Sequence, residues 1–289
     1  MRTENAIIMA AGMSSRFAPL SYEKPKALIE VKGEVLIERQ IRQLLDAGIK
    51  DIHVITGYKA EQFEYLKKCF GIGIIYNPDY SIRNNNSSIF AARNVINNTF
   101  ICSADNYFSK NPFIETSRDS YYAANYSKGY TDEWCMKENE SGFISSVEIG
   151  GNDAWYMYGH SFWESAFSKA FLAILEKEYN NPVTIDKLWE EIYISHLDVL
   201  KMKIRRYPKD VIFEFDSLDE LREFDISYIA DTRSEIIKSI CKKLQANESD
   251  IVNINTIKTG NTATGFSFDC LASRYSYDYQ TMSLIKERE

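Results

Sequence analysis

Histidine is scarce in this chain. The three present, His53, His160 and His196, are scattered, so neither a zinc cluster nor a His-based triad is expected. The five cysteines, at 69, 102, 135, 241 and 270, form no CxxC and no metal-ligand spacing, and are expected to be reduced, mostly buried thiols of a cytoplasmic protein. No apolar run approaches the ~20 residues a membrane span needs. The N-terminal Met1-Arg2-Thr3-Glu4-Asn5 carries an acid ahead of a short apolar run, so a signal peptide is not expected either. Excess positive charge is also lacking. A net charge of −7 argues against nucleic acid or a membrane surface as partner, while leaving room for a local basic site. Neither G-x-x-x-x-G-K-[ST] nor G-x-G-x-x-G occurs. What remains, at 45% hydrophobic and 26% charged over 289 residues, suffices for one large globular domain or two smaller ones.

Strand-like and helix-like segments alternate, which predicts a mostly parallel α/β sheet. Expected strands are Ala6–Ala10, Asp51–Gly57, Gly73–Asn77 and Thr99–Ala104. Expected helices are Glu34–Ala47, with an apolar stripe ended by Gly48, then Ala60–Phe70 and Ser87–Asn94. Residues 119–160 are rich in Tyr and Trp and read as a smaller strand-rich lid. Phe213–Ser217 reads as a strand with an acid at its end, followed by a helix Leu218–Phe224. From about residue 231 a different segment follows: a helix Ser234–Leu244, then strand, turn and strand over Val252–Lys258, Gly260 and Phe266–Asp269.

The most informative stretch is Ala10-Ala11-Gly12-Met13-Ser14-Ser15-Arg16-Phe17, followed by Lys24-Pro25-Lys26. A buried strand empties into a loop of small residues that carries cations. Small residues let backbone approach a ligand closely, and backbone N–H groups of such a turn can cradle phosphate oxygens. An ordinary strand–helix turn is the plainer alternative. The motif resembles the signature of nucleotidyltransferases that join a nucleoside triphosphate to a phosphorylated small molecule. Further matches downstream narrow the resemblance to bacterial CTP:phosphocholine cytidylyltransferases over roughly residues 5–230. It implies a Rossmann-like GT-A fold, a mostly parallel sheet flanked by helices with a small strand-rich lid. The domain organisation expected is a nucleotidyltransferase domain over 1–230 and a C-terminal appendage over 231–289.

The resemblance also implies site residues. Arg16 is expected on the β- and γ-phosphates, and Lys26 on the α-phosphate or the attacking phosphate. Lys24 and the backbone of Ala10, Ala11 and Gly12 would complete the nucleotide grip. Asp105, closing Ser103-Ala104-Asp105, and Asp216, in Phe213-Glu214-Phe215-Asp216-Ser217, match the carboxylates that hold Mg²⁺ in the family. On its own, Asp216 could equally cap the next helix, and Glu214 alternates to the other face. Asn84-Asn85-Asn86-Ser87-Ser88 resembles the cytosine-reading segment, with Asn85, Asn86 and Ser88 as base contacts; a turn with Ser87 as helix cap reads the same residues structurally. Asp132-Glu133-Trp134 and Leu188-Trp189-Glu190 resemble segments of the phosphocholine enzymes. Aromatic rings with a carboxylate can cage a quaternary ammonium, so Trp134, Trp189 and Glu190 are expected as cage members, with Tyr130 and Trp155 as further walls. Each tryptophan taken alone also suits a core, and Trp163 is expected to pack there.

The chemistry implied is attack of the phosphocholine phosphate on the α-phosphorus of CTP, Mg²⁺-dependent, releasing pyrophosphate and giving CDP-choline. Acceptors left open are phosphoethanolamine, 2-aminoethylphosphonate and sugar 1-phosphates. A non-catalytic nucleotide-binding regulatory module is the reading of another class; it usually loses the loop cations or the metal Asp, all retained here. The segment Ile257–Phe268 resembles the opening of a choline-kinase-like N-lobe. The chain ends at Glu289, before a kinase catalytic loop could occur, so no phosphoryl transfer is credited to it. The equal alternative is a plain appendage that packs on the main domain or mediates a homodimer.

Overall fold

The computed structural model describes residues 3–114, 117–260 and 262–287. Met1 and Arg2 of the N-terminal reading, and Asn261 of the kinase-like segment, lie outside them. The chain forms two compact units: Met1–Gly12 with Leu36–Glu214, and Met13–Val35 with Phe215–Glu289.

The first unit is built on a seven-stranded sheet. Its strands are β1 (Asn5–Ala10), β2 (Asp51–Thr56), β3 (Gly73–Tyr76), β4 (Thr99–Ser103), β5 (Tyr121–Glu138), β6 (Ile144–Trp163) and β7 (Lys203–Arg206), in spatial order β7-β5-β6-β4-β1-β2-β3. All run parallel except β6, which is antiparallel to both its neighbours. Strand β1 lies between β2 and β4 and is buried on both faces, which is why it reads as the continuous apolar run Ala6-Ile7-Ile8-Met9 rather than an alternating one. The stretch expected to be strand-rich is two long strands, β5 and β6, of 18 and 20 residues, with several bulges in their pairing.

Helices α1 (Leu36–Asp46), α2 (Tyr65–Phe70), α3 (Asn86–Ala92), α4 (Ser165–Glu178) and α5 (Trp189–Ile194) accompany this sheet. Helix α1 begins two residues later than expected because Glu34–Val35 pairs with Glu30–Val31 in a short hairpin. Ala60–Phe63 is a 3₁₀ turn before α2, not part of one helix. Helix α4 was not foreseen. The Glu164 carboxylate accepts from the Ala166 and Phe167 amides at its N-terminus, and its Phe167, Phe171 and Leu175 side chains are buried with Trp163 in the unit's main core. No helix among the described residues is long and apolar enough to cross a membrane. The five cysteines are free thiols.

The second unit holds the cation-bearing loop and the C-terminal segment. Its longer helices are α6 (Leu218–Phe224) and α7 (Glu235–Leu244), beside the single-turn helices Leu20–Glu23 and Ser227–Ala230. Beyond them the expected strand–turn–strand is the first half of a four-stranded antiparallel meander, β8 (Val252–Thr259), β9 (Thr262–Cys270), β10 (Ser273–Asp278) and β11 (Ser283–Lys286). Phe266, Phe268, Tyr277 and Tyr279 are buried on it. Arg222 of α6 is buried, and all three of its guanidinium nitrogens donate: to the carbonyls of Tyr228, Glu248 and Ile251 and to Asp219. The expected strand Phe213–Ser217 is shorter than predicted. Only Ile212–Phe213 pairs, antiparallel to Tyr107–Phe108.

The turn after β4, which carries Asp105, is fixed from inside. The Gln40 amide on α1 is buried and donates to the carbonyls of Ser103 (2.8 Å) and Asn106 (2.9 Å). Replacing Gln40 with Leu leaves both carbonyls without that donor, and each buried unpaired group costs about 1–3 kcal/mol. Gln40→Leu is therefore expected to lower unfolding stability by about 2–3 kcal/mol in urea titrations; a loss under 0.5 kcal/mol would show that the amide does not fix this turn.

Candidate active site

Within the second unit the loop after β1 is ordered around one carboxylate. Arg16 Nη1 lies 2.9 Å from Asp216 Oδ2, and Lys26 Nζ lies 3.9 Å from Asp216 Oδ1. Arg16 is 75% exposed whereas Lys26 is 5% exposed, so one cation is presented to solvent and the other is held within the unit. The Lys26 ammonium also faces the Phe17 ring at 5.6 Å. The helix-cap reading of Asp216 fails. Ser217 caps α6, its hydroxyl accepting from the Glu220 amide at 3.2 Å, while the Asp216 amide donates back to Glu220 Oε2 at 2.9 Å. The Asp216 carboxylate is thereby left for the cations. Lys24 is exposed.

In the first unit, β1 delivers Ala10 and Ala11 almost fully buried, and Gly12 exposed. The Ala11 carbonyl accepts from the Tyr58 amide at 3.0 Å. Gly57 approaches so closely that a Cβ there would sit 2.5 Å from Tyr80 and 2.9 Å from the Ala11 carbonyl, so this glycine is required by packing. Gly12 is different: its φ is not positive, and a Cβ on it meets nothing within 4 Å. Asp105 is half-buried at the end of β4.

The asparagine segment departs from expectation. Asn86 and Ser88 are buried. Asn86 donates to the carbonyls of Thr184 (2.9 Å) and Lys187, and Ser88 accepts from Asn77 together with Ser87. Both side chains are turned inward: Asn86 joins the start of α3 to the segment before α5, and Ser88 joins it to Asn77 just after β3. Ser87 lies inside α3 and does not cap it; Asn85 is at the cap position without a side-chain cap bond. The Asn85 amide instead bridges to α5, accepting from the Trp189 amide (2.7 Å) and donating to Glu190 Oε2 (3.1 Å).

Trp189 is likewise a correction. It is 1% exposed and packs against Trp163 at 5.0 Å, Tyr122 at 5.7 Å and Phe171 at 5.9 Å, so it is a core residue and not an open cage wall. The physical reason is helical phase: Trp189, Ile192 and Tyr193 form the buried stripe of α5, and the next residue is turned about 100° away. That next residue, Glu190, accepts from Tyr122 (3.2 Å) and from Asn85. Burial pushes its carboxyl up to about 7, with the two hydrogen bonds opposing the rise. Tyr122 was missed in the sequence, where one Tyr in a Tyr-rich strand carries no signal; in the fold its ring lies on Trp189 while its hydroxyl reaches Glu190.

Trp134 and Trp155 pack partly buried against the same core. Trp155 already carries a cation, with the Arg206 guanidinium 5.4 Å from its ring centroid and Tyr126 at 5.2 Å. Tyr130 is exposed, its hydroxyl donating to Asp132 at 2.7 Å. Trp163 packs in the core as expected.

This α/β architecture, with a small-residue loop after its first strand, is one found in nucleotidyltransferases. Residues 6–132 match the model of the MobA-like NTP transferase domain. A choline-phosphate cytidylyltransferase of Streptococcus pneumoniae is 30% identical over 220 residues, which is 76% of this chain and 96% of the relative. A 2-aminoethylphosphonate cytidylyltransferase of Lancefieldella rimae is 35% identical over 235 residues, 80% of this chain and 95% of that one. The solved structure of the CTP:phosphocholine cytidylyltransferase LicC of Streptococcus pneumoniae superposes with a TM-score of 0.73, at 30% identity over 77% of this chain and 97% of that one. The chain belongs to the family that contains these cytidylyltransferases.

Glu190 gives a stability test. Its folded-state value lies above the ordinary 4.5, so the folded protein holds a proton there that the unfolded chain has released. Stability linked to this group is present below about 4.5 and is lost as pH rises through about 7. Above that pH the desolvated charge is a net cost that Glu190→Gln removes. E190Q is expected to gain about 1–2 kcal/mol over wild type at pH 8 and nothing at pH 4, by thermal unfolding. An equal effect at both pH values would contradict a raised carboxyl.

Proposed function

We propose that this protein transfers CMP from CTP to phosphocholine, giving CDP-choline and pyrophosphate. The observation that carries the reading is the Arg16–Asp216–Lys26 cluster on a loop matching the family signature, in a chain whose relatives are cytidylyltransferases over nearly their whole length. An oxygen of the phosphocholine phosphate attacks the α-phosphorus of CTP, a P–O bond forms, and the bond from the α-phosphorus to the β-phosphate oxygen breaks. A phosphate monoester is already anionic near neutral pH, so the step needs no strong general base. Catalysis is then positioning and charge neutralisation. That accounts for a site of cations and carboxylates.

Arg16, the exposed cation, takes the β- and γ-phosphates. Lys26 takes the α-phosphate or the attacking phosphate, and Lys24 is a further solvent-side cation. Gly12 supports a close approach of ligand to backbone. Neither its φ nor a packing contact demands glycine, which leaves close approach of a ligand as its role in this reading. Asn85, with Ala10 and Ala11, remains the reading for the base. Asn86 and Ser88 support that segment from inside rather than touching the base.

Asp105 and Asp216 suit Mg²⁺. Each is a hard oxygen donor that is not fully buried, and no cluster of three or more His, Cys, Asp or Glu side chains occurs among the described residues. Mg²⁺ usually takes one or two carboxylates and completes its shell with phosphate oxygens and water. When bound, it would neutralise charge on the α-phosphate and the departing pyrophosphate.

Glu190 and Tyr122 favour a cationic acceptor over a sugar 1-phosphate, with Trp134 as the aromatic side of that subsite. A specific observation supports a second reading. With Trp189 in the core and Trp155 under Arg206, few rings remain for a trimethylammonium cage, whereas the Glu190 carboxylate suits a primary amine. That favours 2-aminoethylphosphonate or phosphoethanolamine as acceptor.

Pyrophosphate release with CTP against each acceptor decides between them. Phosphocholine is expected to give the highest kcat/KM. A tenfold preference for 2-aminoethylphosphonate or phosphoethanolamine selects the second reading, and turnover of sugar 1-phosphates alone would sink both. With the preferred acceptor, Asp105→Asn and Asp216→Asn are each expected to cut kcat at least 100-fold. Gly12→Ala should raise KM for CTP about tenfold while leaving thermal stability within about 1 kcal/mol. A Gly12→Ala variant that binds CTP normally would remove the close-approach role.

A further inference from the structure

The C-terminal meander contributes contacts that the reaction as described does not use, and they fall on the cation-bearing loop of its own unit. Thr256 on β8 donates from its hydroxyl to the Ser15 carbonyl at 2.5 Å. Tyr279, just after β10, lies face to face with Tyr22, ring centroids 3.7 Å apart and planes 5° from parallel. At the start of α7 the Ile236 amide donates to the Glu23 carboxylate at 2.7 Å. Further along the loop, the Tyr228 hydroxyl donates to the Glu30 carbonyl at 2.5 Å, and the Asp225 carboxylate accepts from the Lys32 amide at 2.7 Å.

The loop has reason to need such contacts. Ser14 is held at φ 47°, ψ 44°, the left-handed conformation that non-glycine residues rarely adopt. Its carbonyl accepts from the Phe17 amide at 2.9 Å, closing a single tight turn around Ser15 and Arg16. A turn that includes an unfavourable backbone conformation persists only when its surroundings over-determine it. Two contacts flank Arg16: the Asp216 carboxylate grips its side chain, and Thr256 grips the carbonyl of the residue before it. The first is an ion pair with a largely exposed arginine, which by itself is weak, and a triphosphate would compete for it. The Thr256 bond is to backbone, so it survives when Arg16 turns to phosphate.

We infer that Thr256, backed by the Tyr279–Tyr22 stack, is a positioning residue that holds the Ser14–Phe17 turn in the shape that presents Arg16 to the CTP phosphates. The C-terminal meander is on this account part of the nucleotide grip. The inference rests on the cytidylyltransferase reading for its kinetic arm only; the shape of the turn can be read without turnover.

The test compares wild type with Thr256→Val, which keeps the shape and removes the hydroxyl, and with Thr256→Ser, which restores it. Thr256 is partly exposed on an edge strand, so both variants should fold. Hydrogen exchange of the peptide covering residues 14–18 is expected to speed up about fivefold in Thr256→Val, the factor that losing one net hydrogen bond produces, and to return to the wild-type rate in Thr256→Ser. KM for CTP should rise two- to fivefold in Thr256→Val, with kcat and KM for the acceptor within twofold of wild type. Tyr279→Leu should move exchange and the KM for CTP in the same direction. Unchanged exchange at 14–18 in both Thr256→Val and Tyr279→Leu would overturn the proposal. So would an equal rise in KM for both substrates, which is what general loosening gives. If wild type releases no pyrophosphate with any acceptor, the cytidylyltransferase reading fails, and the exchange comparison still decides whether Thr256 holds the turn.

Discussion

Cations on a mobile loop repel one another and are spent on water; the same cations around one carboxylate have a defined shape before any ligand arrives. The Asp216 carboxylate supplies that constraint here, with Arg16 at 2.9 Å and Lys26 at 3.9 Å on its two oxygens. Local structure frees it to do so, because Ser217 rather than Asp216 caps the following helix, accepting from the Glu220 amide. The pairing also sets an exchange for catalysis. On the proposed function, a triphosphate would compete with Asp216 for Arg16, and the carboxylate so released would become available to a cation. Preorganisation of this kind lowers the entropy cost of gathering the phosphates without fixing the charges so tightly that product cannot leave.

Opposite economics govern Glu190. Its neighbours Tyr122 and Asn85 give two hydrogen bonds, yet burial still dominates and raises its carboxyl to about 7. A carboxylate that is costly to ionise in the empty protein is one that gains most when a permanent cation arrives, since the cation removes the penalty. Such a group discriminates by charge more than by shape. Tyr122 couples this to packing: the ring is fixed on Trp189 in the core, which fixes where the hydroxyl meets Glu190.

Much of the first unit was legible in the sequence because β1 and β4 at its centre are buried on both faces, and even the half-buried edge strand β3 is a short apolar run opened by a glycine and closed by an asparagine; β1 to β4 each fall within about two residues of the expected runs. Strand β7 was not legible, since its residues Lys203-Ile204-Arg205-Arg206 are those of a charged edge strand. The site residues show a sharper limit. Asp216 and Ser217 are adjacent and either could cap a helix; only the backbone settles which does. Trp189 and Glu190 are adjacent too, and a one-residue step on a helix sends one into the core and leaves the other to meet Tyr122 and Asn85. Motif matching places such a pair to within a residue, which suffices for a reaction class and falls short of an acceptor. Asn86 and Ser88 make the same point, because a polar side chain next to a reading residue is as useful holding a turn as touching a base.

The acceptor question then turns on how attraction to a cation is divided between rings and carboxylates. Aromatic faces attract any cation, and a trimethylammonium group, having no N–H, can use little else at short range. A primary ammonium loses more hydration on entering and must recover it in hydrogen bonds, which rings do not accept well and a carboxylate does. In this fold, one expected ring is committed to the core and a second is covered by Arg206, while the carboxylate is retained with a fixed tyrosine beside it. Phosphocholine would then be selected by charge together with whatever face Trp134 offers, and an enzyme selecting chiefly by charge would discriminate poorly against smaller amines. Relatives named for a choline ester and for an aminophosphonate sit at similar identity to this chain, as expected where the phosphate machinery is shared and the amine end varies by a few side chains.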